Sequence, residues 1–219
     1  MAEPGEIVPP AGVPAPAGGN FGLEDMLADA FAAFKNHFGI LLGAFVVFAI
    51  ISGLLGKFSL LALFVMPQLI AGFSFMMLQA LRGAQPPRFS DLFKGFSYYV
   101  PLLVAGLLSG LLITVGTICL VVPGVILSLM WSQTMFLLAD DMKEVEAGRK
   151  AKAQVSGWGA MQRSAALMCG HKLRFLGYAI VLLIIGLAGI IAAGIGVLVT
   201  MPFAGLAAAA FYNRLTKAA

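Results

Sequence analysis

Long apolar runs alternate with short polar ones along this chain. Six runs, at residues 38–56, 58–81, 100–122, 124–139, 175–194 and 197–212, consist almost wholly of apolar and small residues. A hydrocarbon core about 30 Å thick takes about 20 residues of helix to cross, and a helix satisfies its own backbone polar groups there. The runs therefore predict six transmembrane helices. Ahead of the first, third and fifth runs the pattern changes. Leu23, Met26, Leu27, Ala30, Phe31, Phe34 and Phe38 recur at helical spacing, with Asn20 placed to cap and Glu24, Asp25 and Asp29 early in the helix, where acids suit its dipole. Residues 90–96 give a shorter version, and Ser156 heads a third with Trp158, Met161, Ala165 and Met168. Segments of this kind lie in the membrane interface. The predicted fold is all-α: an integral membrane protein of six transmembrane helices in three hairpins, each preceded by a cytoplasmic interfacial amphipathic helix.

The three units repeat faintly. At an offset of 134, His37 matches His171, Leu42 matches Leu176 and Gly43 matches Gly177, so the two histidines of the chain fall at equivalent places. Pro67, Pro123 and Pro202 each precede the first charge at the far end of the second helix, Arg82, Asp140 and Arg214. All three units point the same way, as parallel rather than inverted repeats. Gly39 with Gly43, Gly106 with Gly110, and Ala188, Ala192 and Gly196 are small residues at close-packing spacing, which let helices approach within the bundle.

Charge fixes the expected orientation. Of 14 Lys and Arg residues, all but Lys57 fall on one side of the six-span scheme, and cytoplasmic loops carry such an excess. Both termini are then cytoplasmic. Residues are 60% hydrophobic and 11% charged, with a mean hydropathy of +0.96, whereas soluble domains have about a quarter of their residues charged. Residues 1–20, rich in Pro, Gly and Ala and without a basic residue, are expected to be a disordered cytoplasmic tail rather than a signal peptide. Residues 21–219 form the six-helix transmembrane domain. The net charge of +4 belongs to loops facing an anionic leaflet, and nucleic acid is excluded because no basic patch interleaves with stacking aromatics. Cys119 and Cys169 have no CxxC or Cys/His spacing, so neither a disulfide nor a metal is expected.

The candidate chemistry is sparse. No Asp, Glu, Lys, Arg or His lies within the six runs, which argues against ion-coupled transport on buried carboxylates. The densest polar group at depth is Trp131-Ser132-Gln133-Thr134, a candidate polar cavity. Such side chains also tie helices together, at about 1 kcal/mol per hydrogen bond. His37, Arg88, Lys94, Trp158, Arg163, His171, Lys172 and Arg174 stand where loops meet spans and are candidate interfacial lipid contacts. Asp140 and Asp141 end the fourth run and are expected to be solvated. Glu146 and Lys150 have the favourable i,i+4 order of a solvated helix. Catalytic triads, phosphate loops, dinucleotide fingerprints and metalloprotease motifs are missing, and no catalytic residue, metal or cofactor is assigned.

Several motifs resemble a known group. Gln79-Ala80-Leu81-Arg82-Gly83 followed by Pro86-Pro87-Arg88-Phe89-Ser90-Asp91-Leu92-Phe93-Lys94-Gly95-Phe96 is similar to a loop of bacterial polytopic inner-membrane proteins of unknown function. These are related to the membrane domain of some glycerophosphodiester phosphodiesterases. Val122-Pro123-Gly124 with Phe136-Leu137-Leu138-Ala139-Asp140 resembles the fourth span of the group. Ala160-Met161-Gln162-Arg163-Ser164, Gly170-His171-Lys172 and Phe175-Leu176-Gly177 resemble the segment before its fifth. The charged insert near residues 143–155 departs from that pattern, and the phosphodiesterase domain has no counterpart, so its activity does not carry over. The resemblance implies a six-span protein of the bacterial inner (cytoplasmic) membrane. The expected role is non-enzymatic: organising membrane lipids, or a partner membrane or cytoplasmic protein, at the cytoplasmic leaflet. A small-solute transporter or channel through the helix bundle is the alternative.

Overall fold

A computed structural model of the chain describes residues 22–83, 85–191 and 195–218. The expected tail, Asn20 as a cap and part of the turn at residues 194–196 lie outside the described residues. Among the described residues the chain is helical and has no strand. The helices are α1 (Leu23–Asn36), α2 (Phe38–Leu55), α3 (Ser59–Arg82), α4 (Tyr99–Cys119), α5 (Val121–Trp131), α6 (Thr134–Glu146), α7 (Gly157–Leu167), α8 (Lys172–Ile191) and α9 (Ile195–Ala218). Two 3-10 helices, Phe89–Tyr98 and Lys152–Gln154, lie in the loops. Among the described residues five helical segments are long and apolar enough to cross a membrane, and six if the bent pair α7–α8 counts as one. This is a membrane protein.

Residues that switch the chain's direction explain the boundaries. Gly83, Gly148 and Gly170 hold positive φ angles of 64°, 71° and 81° after α3, α6 and α7, a region glycine enters without steric cost. Ser156 caps α7, its Oγ accepting from the Gly159 N–H at 3.2 Å. α7 and α8 meet at 97°. Gly22, without a capping side chain, precedes α1. The fourth apolar run differs from its expected form of one helix over 124–139. It breaks at Ser132-Gln133, and its second part runs on through the charged residues to Glu146.

The helices divide into an apolar half and a charged half. α3 shows the change along one rod. Leu60, Leu61, Leu63, Phe64 and Ile70 are exposed, whereas from Ala71 to Ala80 every residue but Phe73 is buried. The apolar half also exposes Ile118, Leu120, Val121 and Val122 where α4 turns into α5, and Leu183, Ile184 and Leu187 on α8. Apolar surface on this scale marks contact with hydrocarbon. In the other half α1, α3, α6 and α9 share one core. Phe136 stacks on Tyr212 with ring centroids 5.6 Å apart, Tyr178 stacks on Phe211 at 5.6 Å, and the Tyr178 hydroxyl donates to the Ala207 carbonyl at 2.9 Å.

Close backbone packing seats the 3-10 helix Phe89–Tyr98 on this core. A Cβ on Gly72 would strike the Leu92 carbonyl, and one on Gly95 would strike the Gln68 carbonyl. Both positions need glycine for approach rather than for a turn. Of the predicted GxxxG pairs, Gly106 packs on Pro67 and Gly43 on Phe89, while Gly39 and Gly110 face open space.

Candidate functional site

The densest constellation of chemical groups is a charge cluster around the last two turns of α6. Because α6 continues past Leu138, it carries Asp140, Asp141, Lys143, Glu144 and Glu146 along one end of the bundle. Arg82, the last residue of α3, presents its planar fork to Asp140: Nη1 donates to Oδ1, and Nη2 donates to Oδ2 at 3.0 Å. Its Nε donates to Asn213 Oδ1 at 2.9 Å, and the Tyr212 hydroxyl donates to Asp140 Oδ2 at 2.7 Å. Bidentate arginine–carboxylate pairs combine strength with fixed geometry. This one ties α3, α6 and α9 at a single point.

Asp141 points the other way. Its side chain is 5% exposed, and it accepts from Lys150 Nζ at 2.7 Å and from both terminal nitrogens of Arg163, Nη1 at 3.1 Å. Lys94 bridges Asp91 at 2.9 Å and Glu146 at 2.8 Å, with its ammonium 4.4 Å from the Phe75 ring centre. Lys143 approaches the same ring at 5.4 Å. Nearer α1, Arg214 pairs with Asp29 at 2.6 Å. Arg149, on the surface, pairs with Glu144 at 2.7 Å, a hydrogen bond that raises its guanidinium above the ordinary value.

Two expectations are corrected here. Asp140 and Asp141 are not solvated helix-end acids, because each faces a cation brought from another element. Glu146 does not pair with Lys150. The helix stops at Glu146, Gly148 reverses the chain, and Lys150 returns to Asp141 while Glu146 meets Lys94. The charged insert near residues 143–155 is exposed over most of its length and is tied back to the bundle through Glu146 and Lys150. Chemically, the cluster fastens elements together. Its carboxylates are engaged by guanidinium or ammonium groups. No group of three or more His, Cys, Asp or Glu able to hold a metal occurs among the described residues.

No protein-family model, curated protein or solved structure matches this chain.

The predicted polar cavity residues meet at the break between α5 and α6. Trp131 and Ser132 are half-buried, and Gln133 and Thr134 are buried. Ser132 Oγ donates to the Leu129 carbonyl at 2.8 Å and accepts from Gln133 Nε2 at 3.0 Å. Gln133 Oε1 and Thr134 Oγ1 are sealed from solvent without a protein partner, as is Gln68 Oε1. The Gln68 amide donates to the Tyr99 carbonyl at 3.4 Å. Pro67 and Met135 both pack on Gly106, so α3, α4 and α6 converge one residue from Gln68 and Thr134.

The predicted interfacial contacts scatter. His37 is a half-buried joint between α1 and α2. Arg88 is exposed ahead of its 3-10 helix, with its N–H donating to Asp91 Oδ2 at 2.8 Å. Trp158 is 50% exposed on α7. His171 lies in the corner before α8, its Nδ1 3.3 Å from the Cys169 carbonyl. Lys172 opens α8 half-buried, and Arg174, two residues on, is exposed. Lys94 and Arg163 belong to the charge cluster. Arg82, Lys143, Tyr212 and Asn213 were not singled out by the sequence. A signal existed for Arg82 and Asp140: single opposite charges ending two spans on the same side.

Proposed function

We propose that this chain is a six-span protein of three hairpins, in which α1, the 3-10 helix Phe89–Tyr98 and α7 are interfacial elements on the cytoplasmic side. Both termini lie on that side. It works without catalysis, organising lipid or a partner protein at that leaflet. One observation carries this reading. Each of the three elements buries one face in the charged half and turns large aromatics outward: Phe31, then Phe89, Phe93 and Phe96, then Trp158. Aromatic side chains next to cationic ones suit the boundary between hydrocarbon and headgroup. Arg88, Lys172 and Arg174 lie on or beside these elements and supply charge toward anionic lipid. The resemblance of its loop motifs to those of the bacterial group is what suggests the inner membrane as its location.

Trp131 and Trp158 are the two tryptophans of the chain, which makes the reading measurable. In the Trp131→Phe variant, reconstituted with brominated phospholipids, Trp158 fluorescence should be quenched most by bromine near the headgroup. Quenching by aqueous acrylamide alone, with none by the lipid probes, would sink the proposal.

A second reading, passage of a small solute, is favoured by the sealed oxygens of Gln68, Gln133 and Thr134. Hydrogen-bonding groups without partners are costly at depth, and a polar solute would supply them. Flux into proteoliposomes that Gln133→Leu abolishes would support it over the first reading.

A further inference from the structure

The charge cluster does not balance. With the Glu144–Arg149 pair counted, six cations, Arg82, Lys94, Lys143, Arg149, Lys150 and Arg163, meet five carboxylates, Asp91, Asp140, Asp141, Glu144 and Glu146. Five of the cations have a carboxylate within hydrogen-bonding distance. Lys143 does not: among the described residues no carboxylate lies within 4.0 Å of its ammonium, although the residue is half-buried. Its neighbour is instead Phe75, itself fully buried, whose ring also carries Lys94 at 4.4 Å. Two ammonium groups over one ring lie no more than about 10 Å apart, and like charges this close disfavour one another in a partly desolvated setting. An aromatic face offsets only part of that. Asp140 and Glu146 act on this ammonium only from beyond 4.0 Å, and burial lowers its pKa to about 8, so an anion placed beside it would favour its charged form.

We propose that Lys143, with Lys94 beside it, binds a phosphate group carried either by a lipid headgroup or by free phosphate. The chemistry follows from the surroundings. The site lacks one negative charge, its donor is a compact ammonium of the kind that binds phosphate as a point charge, and Asp140 and Glu146 on the same helix are already spent on Arg82 and Lys94. A neutral ligand would leave the surplus in place, and a cation would add to it. The inference goes beyond the leaflet-organising role and holds whichever surface meets the membrane.

The test uses the full chain in a neutral detergent free of phosphate. Its melting is followed with sodium phosphate against sodium chloride at matched ionic strength, then in neutral-lipid nanodiscs with and without phosphatidylglycerol. Wild type should be stabilised by one of these phosphates above its control. Lys143→Met should weaken that response about tenfold or more, while Lys143→Arg retains it. Stabilisation by inorganic phosphate identifies a soluble ligand, and stabilisation by phosphatidylglycerol alone identifies a headgroup. A wild-type protein that responds to neither, or a Lys143→Met variant that responds as wild type does, would overturn the proposal. The Trp158 quenching experiment does not depend on Lys143, so either idea can fail alone.

Discussion

The two ends of α3 are held by different forces. From Leu60 to Met66, and again at Ile70, its side chains are exposed or half-buried among the outward apolar groups of the bundle. Lipid is as apolar as leucine, so burial there gains little from the hydrophobic effect and close packing must supply the attraction. From Ala71 to Arg82 the same helix is enclosed by protein, held by Gly72 against the Leu92 carbonyl and by Arg82 against Asp140. The lesson is that hydrophobicity alone does not mark lipid contact. Phe75, Met76, Met77 and Leu78 are as apolar as Leu60 and Leu61, yet they are fully buried within the chain and support a charge cluster.

Substitutions should reveal this division. The largest effect is expected at Asp141, where alanine would leave Lys150 and Arg163 without their shared carboxylate. Both cations keep access to water, so the cost is that of losing charged hydrogen bonds, about 1.5–3 kcal/mol, read as a lowered melting midpoint in detergent. Gly72→Ala should come next. Pushing the 3-10 helix off α3 would cost about 1–3 kcal/mol, and the loss should be much reduced in Gly39→Ala, where a Cβ meets open space. Arg82→Lys keeps the charge but loses the fork, and should cost about 1–2 kcal/mol. The smallest effect belongs to the other half. Leu60→Ala or Ile118→Ala, at sites 77% and 79% exposed, should shift stability by less than about 0.5 kcal/mol. An Ile118→Ala loss as large as that of Asp141→Ala would erase the distinction between the halves.

The apolar half was the more legible in the sequence. A helix crossing hydrocarbon must be apolar all round, so continuous runs announce it. Run length located α2, α3, α4 and α9 well. The charged half depends on partners distant in sequence, and periodicity carries no record of those. Arg82 reaches Asp140 across 58 positions and Asn213 across 131, and Asp141 meets Arg163 across 22. The break at Ser132-Gln133 was hidden because its flanks remain apolar, although the polar cluster marking it was noticed. Ser156 as a cap was legible because capping is local. Glu146 with Lys150 misled for the same reason: a local rule was applied across a helix end that Gly148 had already fixed.

The Ser164 hydroxyl donates to the Met130 carbonyl at 2.7 Å, joining α7 to the last turn of α5 just before that helix is interrupted. One hydrogen bond thus clamps α7 to the interrupted rod made by α5 and α6. Displacing α7 sideways requires either rupturing that clamp or dragging the end of α5 along. Any partner that shifts α7 therefore has a lever on the middle of the protein.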